Sequence, residues 1–182
     1  GFVSEGRFGF EETAYLLLFG TLPTKSQLQN FEALLAEYRA LPDRFTEDMI
    51  LSAPSRGIMN KLARCILALY SYDANPEAPG LQNEMRQALQ LIARCPIIVA
   101  HAHAAKQLLD LCLVLHAEHG GGNNSAFACR VLSSSGTDIY SAISAAVGSL
   151  KGPRHGGANK KVMEMFGYIE ENVHNWKDEG EI

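Results

Sequence analysis

The segment His116-Ala117-Glu118-His119-Gly120-Gly121-Gly122-Asn123-Asn124-Ser125 sets two histidines against a glycine run and a group of amide and hydroxyl side chains. Further along, Gly152-Pro153-Arg154-His155-Gly156-Gly157-Ala158-Asn159 repeats the theme around a third histidine. Imidazole changes charge near neutral pH, so it can move a proton or donate a hydrogen bond to developing charge. Glycine lets a ligand come close to the backbone. Histidines framed by such donors are costly to bury without polar partners. The pattern suits a polar pocket that holds carboxylates and tunes imidazole protonation.

Other chemistries fit less well. His119-Gly120-Gly121-Gly122 resembles a lipase oxyanion loop, but the required GxSxG elbow between a strand and a helix is absent. His101, His103, His116 and His119 raise the question of a metal, yet there is no HExxH and no CxxC, so no metal is expected. Gly120 to Ser125 lacks the Lys-Ser/Thr ending of a phosphate loop. Gly156, Gly157 and Asn159 precede a helix whose N-terminus could hold an anion. His101 and His103 read as structural, and His174 as a surface residue.

The elements that must position these blocks all read as helices. Phe10–Phe19 carries Glu11 and Glu12 in its first turn and stops at Gly20 before Pro23. Thr24–Tyr38 lines up Leu28, Phe31, Leu34, Leu35 and Tyr38, and Ile58–Tyr70 lines up Ile58, Leu62, Ile66 and Leu69. Asp73–Gly80 holds two prolines and reads as a loop. Leu81–Cys95 stacks Leu81, Met85, Leu89 and Ile92, and Pro96 is expected to open a separate helix reaching Ala104. Lys106–Glu118, Ser125–Leu132, Asp138–Leu150 and Lys160–His174 complete the set. No alternating strand pattern appears, so the class is all-α. The helix Asp138–Leu150 is rich in small residues, which suits close packing either within the chain or across a dimer.

A chain of 182 residues is long enough to bury a core. Its 47% hydrophobic and 20% charged residues are ordinary for a soluble globular protein. A net charge of -4 leaves no basic face for nucleic acid. No apolar run is long enough to span a bilayer, and no signal peptide is visible. Gly1 without a methionine reads as the start of a processed or cut chain. Cys65, Cys95, Cys112 and Cys129 sit singly in apolar surroundings and read as reduced thiols of a cytoplasmic protein.

The two histidine blocks, with their spacing, resemble the citrate synthase family. So do Phe10-Glu-Glu-Thr-Ala-Tyr-Leu-Leu-Leu-Phe-Gly-Thr-Leu-Pro23 and Met59-Asn-Lys-Leu-Ala-Arg64. The resemblance covers nearly the whole chain. It implies a multi-helical large domain and a condensation of acetyl-CoA with oxaloacetate to citrate and CoA through an enol. Acetyl-CoA is a co-substrate and no cofactor is permanently bound; a homodimer through the small-residue helices is expected. By position, His155 resembles the histidine that hydrogen-bonds the thioester carbonyl, and His119 one that binds oxaloacetate. Ser125 resembles the acceptor for the other ring nitrogen of His155. His116 and Asn123 would line or support the pocket, and Gly156, Gly157 and Asn159 would let the thioester arm approach.

The resemblance also implies departures. The family's aspartate base, a further histidine and its carboxylate-binding arginines would fall beyond Ile182. Residues 1–155 then read as a partial large domain and 156–182 as the first helix of a small domain, so the chain alone is expected to be inactive. The family pattern also carries a further stretch where Ala104 and Ala105 abut here. The expectation is that the numbering runs across residues not placed, rather than that the stretch was deleted. Two alternatives stay open: a 2-methylcitrate synthase using propionyl-CoA, and a non-catalytic helical dimerisation module.

Overall fold

A computed structural model describes residues 9–52, 57–100, 113–114, 122–155 and 157–172. Among the described residues every regular element is helical. Helix α1 spans Phe10–Phe19, α2 Lys25–Tyr38, α3 Ile58–Leu69, α4 Leu81–Ala100, α5 Asn124–Ser133, α6 Ile139–Ser149 and α7 Ala158–Asn172. None of these is long and apolar enough to cross a membrane.

The first two helices are punctuated as their sequences dictate. α1 ends where Gly20 takes a left-handed φ of 74° and its N–H reaches the Leu16 carbonyl. α2 opens on a reciprocal cap: the Thr24 hydroxyl accepts from the Gln27 N–H, and the Gln27 side chain accepts from the Thr24 N–H at 2.8 Å. A Thr24→Ala variant loses one of these bonds and is expected to cost about 1 kcal/mol, read as a lowered melting temperature. α2 buries Phe31 and Leu35 against Ala14, Tyr15 and Leu18 of α1 and against Leu89 and Ala93 of α4. Leu81, placed on the apolar face by spacing, is instead 75% exposed at the very start of α4.

The larger core gathers Cys65, Ile66 and Leu69 of α3, Leu91 and Ile98 of α4, and Tyr140 of α6, with Phe45 and Ile50 from the connection before α3. That connection contains a π-helical segment, Thr46–Leu51, closed by the Ser52 N–H on the Glu47 carbonyl at 2.8 Å. The sequence does not announce it, because six residues are too short for a period to show. Its role is to turn Ile50 inward while Arg44, with φ 61°, sets the entry.

Pro96 does not open a new helix. α4 runs unbroken through it, from Leu81 to Ala100. The ring forfeits one backbone bond, and the burial of Ile98 just beyond rewards continuation. The small face of α6 packs within the chain: Ala142 and Ala146 are buried, and the Ser144 hydroxyl donates to the Ala63 carbonyl of α3 at 2.8 Å. Cys65, Cys95 and Cys129 are free thiols. Burial pushes the Cys95 thiol up to about 12.

The loop Asp73–Gly80 is a polar knot. Asp73 accepts from Arg86 Nη2 at 2.8 and 2.9 Å, from Gln87 Nε2 at 2.9 Å, from the Tyr140 hydroxyl at 2.8 Å and from the Asn75 N–H at 3.0 Å. Gln87, itself buried, also donates to the Pro76 carbonyl at 3.0 Å. Burial raises the carboxyl's pKa, but these four donors outweigh it and hold Asp73 at about 2. The knot ties α4 to the first turn of α6.

Candidate functional site

Helices α5 and α6 are joined by a tight turn in which Gly136 takes φ 78°. They are the most extensively paired helices among the described residues, so they form an antiparallel hairpin. The start of α5 therefore lies beside the end of α6. A direct bond fastens them: Asn124 Nδ2 donates to the Ser149 carbonyl at 3.2 Å. The first histidine block runs into the start of α5, and the second leaves the end of α6. The hairpin thus brings the ends of the two blocks to one place.

Asn123 caps α5. Its Oδ1 accepts from the Ser125 N–H at 2.7 Å and from the Ser125 hydroxyl at 2.5 Å, and its carbonyl accepts from the Phe127 N–H at 3.0 Å. The predicted pocket residues Asn123 and Ser125 are therefore bonded to each other. No hydrogen bond joins Ser125 to His155 among the described residues; the Ser125 hydroxyl donates to the cap and keeps its lone pairs free to accept. α5 begins one residue earlier than the spacing suggested, at Asn124.

His155 sits in a turn after α6, its N–H on the Gly152 carbonyl at 3.1 Å, with its side chain exposed. Gly157 follows at a close approach. An added Cβ would strike the Pro153 carbonyl oxygen and lie 3.1 Å from that residue's Cα and carbonyl carbon. The glycine is required there for want of space. Asn159, expected before a helix, lies inside the first turn of α7, which begins at Ala158. Between Ser149 and Met163 the chain carries Lys151, Arg154, Lys160 and Lys161 and no carboxylate. Such a run suits anionic ligands. His116, His119 and Gly156 lie outside the described residues, as do His101, His103, His174 and Cys112.

What sequence reasoning missed at this end is Asn124. It is the residue that fastens the two blocks, yet nothing distinguished it from Asn123 except which way each points from a helix start.

Comparison with known proteins places these observations. The family description "Citrate synthase, C-terminal domain" matches residues 3–107 and 101–179. The glyoxysomal citrate synthase of Cucurbita maxima is 31% identical over 88% of this chain and 40% of its own length. The 2-methylcitrate synthase 1 of Corynebacterium glutamicum is 32% identical over 92% of this chain and 54% of its own. In structure, the citrate synthase of Pyrobaculum aerophilum superposes with a TM-score of 0.76 at 29% identity, covering 94% of this chain and 52% of that one. The chain spans about half the length of the relatives it matches.

The comparisons also bear on the stretch expected where Ala104 and Ala105 abut. The Cucurbita alignment extends over 207 positions while using 88% of a 182-residue chain, and the family match breaks into two parts that meet at residues 101–107. The relative therefore carries several tens of residues that have no counterpart here.

Proposed function

The chain belongs to the citrate synthase family, and on that premise we propose that its two histidine blocks form one half of a condensing site for an acyl-CoA and oxaloacetate. The observation that supports this reading is the α5–α6 hairpin, whose Asn124–Ser149 bond holds the end of the first block beside the residues that lead into the second. His119 and His155 divide the two reactants between them. His116, Asn123 and Ser125 support the first block, and Gly156, Gly157 and Asn159 shape the approach to the second.

In this reaction the acyl-CoA loses a methyl proton to a base, and the enol carbon bonds to the keto carbon of oxaloacetate. Water then cleaves the thioester to citrate and CoA. The enol oxygen gathers charge and needs a fixed donor, which an imidazole N–H supplies. Oxaloacetate is a dianion, and the cationic run from Lys151 to Lys161 favours it electrostatically. The domain division at residues 155 and 156 belongs to the same proposal. It is supported by α7, whose Val162, Met163, Met165, Phe166 and Tyr168 are all exposed. A homodimer is proposed as well, supported by the exposed apolar side chains of Leu67 on α3 and of Phe127 and Val131 one turn apart on α5. Acetyl-CoA is the proposed substrate. Propionyl-CoA is the alternative that the Corynebacterium relative brings to mind, and one methylene separates the two by only about 1–3 kcal/mol.

The experiment is thiol release from acetyl-CoA with oxaloacetate present. It is run on the 182-residue chain and on a version in which the parts that the Pyrobaculum aerophilum enzyme carries and this chain lacks are restored. The chain alone gives no turnover, and the restored version does. Turnover by the chain alone overturns the half-site reading. A folded restored version that binds neither reactant overturns the assignment of this chemistry to the two blocks.

A further inference from the structure

The start of α5 and the end of α6 complete each other's hydrogen bonding. A helix leaves its last carbonyls without partners inside the helix. At the end of α6 three of them are met locally. The Ala146 carbonyl accepts from the Ser149 hydroxyl at 2.7 Å, Val147 from the Leu150 N–H at 3.2 Å, and Gly148 from the Lys151 N–H at 3.1 Å. The Ser149 carbonyl is met from the other arm, by Asn124. A carbonyl only accepts, so the amide must present its Nδ2 there. Two adjacent asparagines thus divide the work: Asn123 caps its own helix, and Asn124 caps its neighbour's.

Ser149 is also where the chain turns toward His155. Beyond it the backbone runs through short turns, with the His155 N–H on the Gly152 carbonyl and Gly157 close against the Pro153 carbonyl. Little slack separates the held carbonyl from the turn that bears the imidazole. On the other side Asn124 stands between Asn123 and Ser125, which are bonded to each other. Releasing the Ser149 carbonyl therefore shifts His155 relative to the first block and leaves the bonds between Asn123 and Ser125 intact.

We propose, on the condensing site described above, that Asn124 is a positioning residue whose bond to the Ser149 carbonyl sets where His155 stands relative to the first block. It acts through the turn rather than on a reactant. Rate depends steeply on such placement: a displacement of about 1 Å can cost about 10²-fold. Asn124 therefore controls kcat, while the KM for oxaloacetate, which the first block serves, does not depend on it.

The test variant is Asn124→Asp. A carboxylate cannot donate, yet in the first turn of α5 it suits that helix's positive end. The variant keeps α5 and loses the clasp. In the 182-residue chain, nuclear magnetic resonance is expected to show faster hydrogen exchange at the Leu150, Lys151 and His155 amides. In the version with the missing parts restored, kcat falls at least about tenfold and the KM for oxaloacetate holds. Asn124→Gln, which keeps an amide donor, recovers most of the loss. Thr24→Ala, which removes a cap from the distant α2, lowers the melting temperature and leaves kcat alone. Should circular dichroism show that Asn124→Asp has lost helix, Asn124→Ala serves in its place. Unchanged amide exchange overturns the proposal, and so does an unchanged kcat in a restored version that turns over. If the unsubstituted restored version folds but gives no turnover, the condensing site falls and the positioning role with it. Faster exchange would then leave the clasp as a structural bond alone.

Discussion

Replacing Asp73 by alanine lowers the stability of this chain by about 3 kcal/mol, the scale on which breaking a buried ion pair destabilises a protein. The carboxylate is 3% exposed and holds Arg86, Gln87 and Tyr140 at once. Its removal leaves the Tyr140 hydroxyl buried without its acceptor and the Arg86 charge without its carboxylate, while Gln87 keeps its bond to the Pro76 carbonyl. Urea denaturation checks this: the midpoint falls while the slope stays the same. A midpoint within experimental error of the parent's would show that the knot is solvated and contributes nothing. The same carboxylate sets an acid limit. Its native pKa of about 2 lies below the ordinary 3.8, so its contribution of about 2 kcal/mol is complete above pH 4 to 5. That contribution is lost as the pH falls through 2.

The second large effect lies at His155 and follows from the proposed function. In a polypeptide that holds the whole site, His155→Ala lowers kcat by about 10²–10³-fold, the effect of losing one preorganised donor to a developing oxyanion. Steady-state kinetics in both reactants tests the role. A fall in kcat with the KM for oxaloacetate unchanged places the imidazole on the thioester, as the sequence resemblance implies. A change confined to the oxaloacetate KM moves His155 to the keto acid and reverses the division with His119. Unchanged kcat and KM remove His155 from the chemistry altogether.

Much of the fold was legible because its helices carry their own punctuation. Gly20, Thr24 and Asp138 mark a stop and two starts in plain sequence, and each does so in the structure: Asp138 accepts from the Ser141 N–H at 2.8 Å. The faces of α2 and α3 were legible because Phe31, Leu35, Ile66 and Leu69 recur at helical spacing. What was illegible depends on partners far away in sequence. Local rules read Pro96 as a start, and only the burial of Ile98 in the core explains why the helix continues. Asp73 looked like the edge of a loop, and its importance comes from Tyr140, 67 residues on. At the candidate site the histidine and glycine types were visible at once. The clasp between Asn124 and Ser149 was not, because it exists only after the hairpin has folded back.

That hairpin constrains how the chain can change length. α5 has ten residues and α6 eleven, so the start of α5 and the end of α6 stand level because the arms match. One residue inserted in either arm would rotate the helix beyond it by about 100° and lift it by about 1.5 Å. The bond between Asn124 and Ser149 would then be lost. The turn around Gly136, at the far end, is free of that geometry and can lengthen cheaply. Insertions and deletions in descendants of this sequence should therefore collect at the turn, while the two arms keep their lengths in step.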